Sequence, residues 1–401
     1  MELVKNDEKY PEVIGDKCKK CEFRISLNQL QEGEQSGFVE CWEAQMGWTD
    51  EQFEKPHVFD IWNERSVQKK YLDKELYLME DLVPDHLPAE EDSVELLEPL
   101  SNAQRQTIQI MTNTGLGRPG DVLLGGLYEE MDRWTWPLHF IDFEAVLAAI
   151  PFHRGLRPYE YIPFQFSCHT LYEDGKVEHR ADWIEDRPGA FPNFEFIRQL
   201  KACLEIDQGT VFRYHNFENT VLEKVSEQMA RFRPDDRQEL TEWIDTLTRG
   251  GEREMVDLYQ VIKDYYYSKH MGGSISIKQV LPAVLTESDF LKEKYAQPYS
   301  GLYLKDKVFY QEDPQTGKAI SPYQLLNPIG HGLPDEEQAE HLLEQTDEVI
   351  SEGGTAMMAW SRLQFDDVPD TERKAILQSL YEYCELDTLA MVMVVEYWRN
   401  D

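Results

Sequence analysis

Leu138-His139-Phe140-Ile141-Asp142-Phe143-Glu144-Ala145-Val146 sets two acidic residues into an otherwise apolar run. Side chains alternate across a strand, so Asp142 and Glu144 fall on one face while Ile141 and Phe143 fall on the other. The strand therefore aims two carboxylates at one point. Carboxylates held so close repel each other and raise each other's pKa unless a cation lies between them, and a divalent metal relieves that most directly. Hard oxygen donors favour Mg²⁺ or Mn²⁺. Taken alone in so acidic a chain, the same Asp-x-Glu pair reads as an edge strand with two solvated acids; the rest of the sequence tips the balance toward a site.

Composition bounds what that site can serve. With 401 residues, 41% hydrophobic and 12% aromatic, the chain can bury a large core and a second, smaller one. No run of about 18 apolar residues exists, and the opening Met1-Glu2-Leu3-Val4-Lys5 lacks the pattern of a signal peptide. These features predict a cytoplasmic protein with no membrane partner. Asp and Glu outnumber Lys and Arg by 76 to 40, for a net charge of −36, which repels polyanions and argues against a protein that coats duplex nucleic acid. An enzyme that draws one nucleic-acid end into a metal-bearing cleft stays open, because bound cations reverse the local sign.

Downstream of the acidic strand, Pro151 to Pro163 reads as a loop carrying Arg154 and Arg157, and Ile162 to His169 as a second strand. Asp174-Gly175 signals a hairpin into a third strand, Val177 to Ile184. Helical spacing follows over Phe191 to Leu204, then a strand from Thr210 to Phe217, then a helix from Asn219 to Phe232. Met255 to Tyr267 predicts a helix that includes Asp257, and Gly272 to Leu281 a turn running into a short helix. Residues 298–334, rich in Tyr, Gly and Pro, read as a strand-and-loop insertion, and Asp370 to Trp398 as a closing helix. A three-strand meander, a helix, a strand and further helices is the order of a ribonuclease H-like α/β fold, a mixed sheet flanked by helices over residues 133–401.

Upstream, residues 61–132 predict a smaller, mainly helical accessory region. Its helices fall over Ser66 to Leu72, Leu76 to Leu82 and Asn102 to Met111, and its end is marked by Gly115, Gly117, Pro119 and Gly120. No Gly-Lys-Ser/Thr follows those glycines, so they are not a phosphate loop. Residues 1–60 hold Cys18 and Cys21 at the C-x-x-C spacing that grips a metal from one turn, with Cys41 as a third thiol and His57 as the nearest spare donor. A Cys₃His zinc site, an iron–sulfur cluster drawing on a further cysteine, and three unliganded reduced thiols all fit that pattern. Cys168, Cys203 and Cys384 lie in apolar segments as small buried hydrophobes.

Two further motifs join the acidic strand. Tyr383-Cys384-Glu385-Leu386-Asp387 places Tyr383 and Asp387 one turn apart on a helix face, and Tyr214-His215-Asn216-Phe217-Glu218 places Glu218 where a strand meets a helix. Asp-x-Glu, Asn-Phe-Glu and Tyr-x-x-x-Asp resemble the three motifs of the DEDD 3′–5′ exonuclease superfamily in its tyrosine-bearing branch. More closely, residues from about 138 to 398 resemble an uncharacterised bacterial domain family, through Arg157-Pro158-Tyr159, Ile162-Pro163-Phe164-Gln165, Ser276-Ile277-Lys278-Gln279-Val280-Leu281-Pro282 and Tyr383-Cys384-Glu385-Leu386-Asp387-Thr388-Leu389-Ala390-Met391.

The resemblance implies a two-metal mechanism on the 3′ end of single-stranded DNA or RNA, with two Mg²⁺ or Mn²⁺ ions held by Asp142, Glu144, Glu218 and Asp387. Tyr383 would position the attacking water. Arg154, Arg157, Lys278 and His215 are candidates for phosphate contact or proton relay, and Asp257 for a supporting role. Glu218 departs from the superfamily, which carries Asp there. Members of the bacterial family are often fused to a RecB-type, CRISPR-associated-like nuclease module with an iron–sulfur cluster, and Cys18, Cys21 and Cys41-Trp42 look like the tail of one. A separate nuclease module or another protein is therefore an expected partner. The competing expectation is a catalytically inactive ribonuclease H-like scaffold that binds nucleic-acid ends or a protein.

Overall fold

The computed structural model describes residues 13–25, 35–63, 65–89, 94–115, 121–329 and 349–400, with the side chains of 65–68 excepted. Gly117, Pro119 and Gly120 of the expected breaker cluster, and the end of the 298–334 insertion, lie outside the described residues. The chain divides into two compact units, Met1–Gly126 with Asp264–Ser274, and Leu127–Lys263 with Ile275–Asp401. The cysteine segment and the helical accessory region thus share one unit, which also takes in residues 264–274 from further along the chain.

In the first unit, α1 (Gly37–Met46), α2 (Arg65–Leu72) and α3 (Asn102–Thr114) are joined by short 3₁₀ turns. Ser101 starts α3 because its Oγ accepts from the Gln104 amide at 3.2 Å while Gln104 Oε1 accepts from the Ser101 amide at 2.8 Å. Phe38, Trp42, Phe59, Tyr71 and Ile110 form the core. The helix expected over Leu76 to Leu82 is instead extended backbone with one 3₁₀ turn, Met79–Asp81, whose Asp81 carboxylate binds the Leu78 amide at 3.1 Å. A short acceptor of that kind competes with helical hydrogen bonding and stops the turn from propagating.

The second unit is built on a five-stranded mixed sheet. Its strands are β1 (Leu138–Leu147), β2 (Tyr161–Leu171), β3 (Val177–Ile184), β4 (Val211–Arg213) and β5 (Val256–Asp257), in spatial order β3-β2-β1-β4-β5. The first three strands pair antiparallel, and β4 and β5 run parallel to β1. On β1, Ile141 and Phe143 face α4 (Asn193–Leu204), α5 (Phe217–Phe232) and α6 (Arg237–Leu247), which bring Phe196, Leu200, Val221, Met229 and Trp243 into one apolar cluster. Each such side chain, once buried, contributes about 2 kcal/mol.

The opposite face of the sheet lies under α10 (Asp370–Asn400), and α7 (Ile277–Glu287), α8 (Asp289–Tyr295) and α9 (Gly353–Phe365) pack beside it. From Tyr383 to Trp398 every residue of α10 is buried, so its polar members need internal partners. Glu396, for example, accepts from Tyr295 Oη at 2.7 Å and from Lys294. No described helix is long and apolar enough to cross a membrane.

Two expectations on the later part of the chain are corrected. Met255 to Tyr267 is not one helix: Val256–Asp257 extends to pair with β4, the helix runs Leu258–Tyr265, and Tyr266–Tyr267 pairs with Val122–Leu123. Among the described residues of the 298–334 insertion there are isolated bridges at Tyr299/Lys307 and Glu312/Ala319 and a 3₁₀ turn, Pro322–Leu325, but no strand. Proline and glycine break the ladder before it lengthens.

Candidate active site

The alternation of β1 carries directly into a cavity of about 420 Å³, where Asp142 and Glu144 share a wall with Tyr383 and Asp387 from α10, Glu218 from α5 and Lys278 from α7. One carboxylate oxygen each from Asp142, Glu144 and Asp387 lies within 4.8 Å of the others. The β1–β2 register shifts just after Glu144, ending the regular ladder at the rim of the cavity. Asp387 reaches the same point because α10 is one continuous helix. Cys384 anchors it there, its thiol lying 3.5 Å from Asp142 Oδ2 across 242 positions of sequence. Glu218 stands in the first turn of α5, buried, with Oε2 lacking any hydrogen-bond partner.

Four carboxylates thus share one cavity in which, among the described residues, Lys278 is the single lining cation. At an effective dielectric of about 20, a carboxylate pair 4.8 Å apart repels by roughly 3.5 kcal/mol. Burial pushes Asp142 well above the usual carboxylate range, and the charges of Asp387 and Glu144 add to it. Glu144 rises to about 8 through burial and the neighbouring Asp387, with Lys278 opposing. Burial raises Asp387 less, because Tyr323, Lys278 and Tyr383 stabilise its anion. Glu218 is driven well up by burial and by Asp142, against the opposing charge of Arg213. Without a cation, this is a site that holds protons.

Lys278 Nζ donates to the Ser351 carbonyl at 2.6 Å, lies 3.5 Å from Tyr383 Oη, and sits over the Tyr323 and Tyr383 rings at 5.3 and 5.4 Å. The Tyr383 hydroxyl keeps its proton, since burial and the surrounding acids push its pKa well up.

The other expected site residues lie elsewhere. His215, left-handed at φ 67°, packs its exposed ring edge-on to Tyr259 at 4.8 Å and does not line the cavity. Asp257 accepts from Arg213 at 3.0 Å and from the His215 amide at 2.9 Å, so it fixes the turn that leads from β4 to Glu218. Arg154 is exposed. Arg157 lines a separate cavity of about 510 Å³ with Lys224 and Arg231, where Arg231 already pairs with Glu160 at 2.6 Å.

Cys18, Cys21 and Cys41 form no disulfide, and they are not among the groups of three donors found close together in the described residues. His57 cannot complete a Cys₃His set through Nε2. Its Nδ1 accepts from the Phe59 amide at 3.0 Å, so the ring proton sits on Nε2 and no lone pair is left for a metal. Burial and the nearby Arg24 lower its pKa to about 3, which keeps the ring neutral.

Tyr323 was not legible in the sequence. It stands in the 3₁₀ turn of the insertion, and its hydroxyl donates to Asp387 Oδ1. Gly353 and Gly354, at the start of α9, also line the cavity. The only hint was the Ser-Pro-Tyr start of a tight turn, which says nothing of what the tyrosine touches.

A family model described as a domain of unknown function (DUF2779) matches residues 139–276. The matched stretch contains Asp142, Glu144, Glu218 and Asp257, while Lys278, Tyr323, Tyr383 and Asp387 lie beyond it. No curated protein and no solved structure matches the chain.

Proposed function

We propose that this chain is a divalent-metal-dependent 3′–5′ exonuclease acting on single-stranded DNA or RNA, on a ribonuclease H-like fold of the tyrosine-bearing DEDD kind. The observation that carries the reading is the convergence of Asp142, Glu144 and Asp387 from distant parts of the chain to within 4.8 Å. The β3-β2-β1-β4-β5 order, a meander continued by two strands parallel to its first, supports the fold assignment.

The donor set fits Mg²⁺ or Mn²⁺: it is all oxygen, and the buried Oε2 of Glu218 has no hydrogen-bond partner, a cost of about 1–3 kcal/mol that a neighbouring cation would remove. Asp142, Glu144 and Asp387 would hold the ions, with Glu218 on the facing wall. When bound, such ions lower the pKa of water and offset charge on a departing 3′ oxygen. The protein's own groups do the remaining work. Tyr383 offers a protonated hydroxyl beside Asp387, suited to orienting a water. The Lys278 ammonium, held by the Ser351 carbonyl, supplies positive charge for a phosphate. Without an ion Glu144 keeps its proton through neutrality, its pKa raised to about 8, and it would give that proton up as an ion binds. The test is release of mononucleotides from a 3′-labelled oligonucleotide with Mn²⁺ or Mg²⁺. If neither DNA nor RNA is cut, and Asp142→Asn behaves as the unsubstituted protein does, the reading fails.

Two observations favour a second reading, a non-catalytic scaffold for nucleic-acid ends or a protein partner. Tyr323 already occupies Asp387 Oδ1, and glutamate stands where the superfamily has aspartate. Calorimetry with Mn²⁺ separates the two. The enzyme reading expects binding that Asp142→Asn and Asp387→Asn abolish, and the scaffold reading expects at most one weak ion.

A further inference from the structure

On the face of the sheet turned away from the acid cavity, Cys168 of β2 and Cys203 in the last turn of α4 belong to one apolar cluster, and their thiols hydrogen-bond to each other. We propose that the two form a peroxide-reactive dithiol, with Cys203 as the nucleophile and Cys168 as the thiol that closes a reversible disulfide. The proposal does not depend on the exonuclease reading.

Local geometry brings the two sulfurs together from 35 positions apart in sequence. Cys168 pairs with Ile141 of β1, and both side chains enter the cluster under the sheet. Phe196, Leu200 and Cys203 follow at i, i+4 and i+7, so they form one stripe of α4, which packs across β2. Cys168 is fully buried, whereas Cys203 keeps 7% of its surface exposed. A small oxidant therefore reaches Cys203 first. Sulfurs already in hydrogen-bond contact need only close to about 2.05 Å to form a disulfide.

The charge beside the pair separates it from two cysteines that merely fill space. Arg253 Nη1 donates to the carbonyl of Leu204, the residue after Cys203, at 2.7 Å, and its Nε to the Gly209 carbonyl at 2.9 Å. Its Nη2 is buried and, among the described residues, finds no hydrogen-bond acceptor; a sulfenate oxygen on Cys203 would supply one. Arg180 of β3 is the second cation acting on the thiols, and it binds Asp207 at 3.0 Å. Asp207 also meets His139 at 2.7 Å, a ring that burial keeps neutral. Two guanidiniums against one carboxylate leave a net positive charge, the setting in which a reactive thiolate persists. They are needed, because the carboxyl end of α4 opposes an anion. The Cys168 thiol, then Arg180 and Arg253, hold Cys203 below the usual thiol range against burial and Asp207. Cys168 goes the other way, driven well up by its bond to Cys203 and by burial.

The chemistry takes two steps. The Cys203 thiolate attacks one oxygen of a hydroperoxide ROOH; an S–O bond forms, the O–O bond breaks, and RO⁻ leaves, taking up the proton that Cys203 released. Cys203 is then a sulfenic acid. Cys168 attacks that sulfur; the S–S bond forms, the S–O bond breaks, and the departing hydroxide takes the Cys168 proton to become water. The two sulfurs have lost two electrons and the peroxide has gained them. A dithiol reductant restores both thiols.

The experiment treats the reduced full chain, in the presence of a chelator, with hydrogen peroxide, then alkylates it under denaturing conditions and maps the peptides by mass spectrometry. The expected product is a Cys168–Cys203 cross-link, formed about ten-fold or more faster than Cys18, Cys21 or Cys41 is oxidised, and undone by dithiothreitol. Exposure alone predicts the reverse order, because those three are the more accessible thiols. Cys168→Ser should stop at a sulfenic acid on Cys203, trapped by dimedone, and Cys203→Ser should leave Cys168 unoxidised. The cross-link is read on the unsubstituted protein, so the test survives a variant that fails to fold. Cys168 and Cys203 both left open to alkylation after Cys18 and Cys21 have been oxidised overturns the proposal. So does Cys203 driven to sulfinic acid with Cys168 still free, a cross-link from either one to another cysteine, or a folded Cys168→Ser that gives no dimedone adduct.

Discussion

Asp142 and Glu144 are two residues apart in sequence and share one wall of a cavity because a strand alternates its faces. Each is pushed toward its protonated form by burial and by the other acids. Asn at position 142 keeps the shape and needs no proton. Asp142→Asn is therefore expected to stabilise the metal-free protein by about 1–3 kcal/mol near neutral pH, and hardly at all at about pH 4, near the ordinary aspartate pKa, while abolishing any catalysis by the proposed exonuclease. Urea unfolding in the presence of a chelator at the two pH values checks this, and destabilisation at neutral pH would refute the repulsion account. For Glu144 the sign runs the same way. Its folded pKa of about 8 lies above the ordinary 4.5, so its contribution is fully present below 4.5 and is lost as pH rises toward 8. The slope is about 1.4 kcal/mol per pH unit for one such group. Mn²⁺ binding near neutrality should then release protons, read as a dependence of the calorimetric heat on the buffer's ionisation enthalpy. The Asp-x-Glu pairing was legible at this scale because it needs only local geometry. The hydrogen-bonded chain His179–Ser167–Thr388 was not, since it joins residues up to 221 positions apart.

Among the elements, α10 does most to assemble the site, and its spacing shows why the motif was readable. Tyr383 and Asp387 lie one turn apart and face the cavity, while Glu385 and Thr388 turn toward β2 and β3. The long strands β1 to β3 were equally legible from alternation and from the Asp174-Gly175 turn. The two-residue strand β5 was not, because it is held by pairing with β4 and carries no period of its own. The insertion escaped for a related reason: Tyr-rich loop sequence does not say which tyrosine turns inward. Tyr323, fixed by the Pro322–Leu325 turn, gives its hydroxyl to Asp387 and so competes with any cation there. Tyr323→Phe should tighten Mn²⁺ binding several-fold, and the lost hydrogen bond should lower metal-free stability by about 1 kcal/mol. Calorimetry and thermal unfolding on the same sample measure both effects, and weaker Mn²⁺ binding would mean that Tyr323 supports the ion site instead of opposing it.

At the scale of the molecule, a net charge of −36 on 401 residues surrounds a cavity whose lining, among the described residues, offers one cation, and this sets how a polyanion can approach. A nucleic-acid protein that binds through lysine and arginine releases counterions and loses affinity steeply as salt rises. Here the long-range term has the opposite sign, because added salt screens repulsion between an acidic surface and the phosphate backbone. On the proposed exonuclease reading, attraction is confined to the site itself, through the ions it would hold and Lys278. With Mn²⁺ held at saturation, KM for a short single-stranded oligonucleotide is expected to stay level or fall between about 50 and 200 mM salt, where a basic binding surface would raise it by orders of magnitude. The kcat should change little, since groups inside the cavity are poorly screened. A steep rise of KM with salt would show that the substrate meets a basic surface outside the Asp142 cavity, and would point to Arg157, Lys224 and Arg231 around the second cavity as its footing.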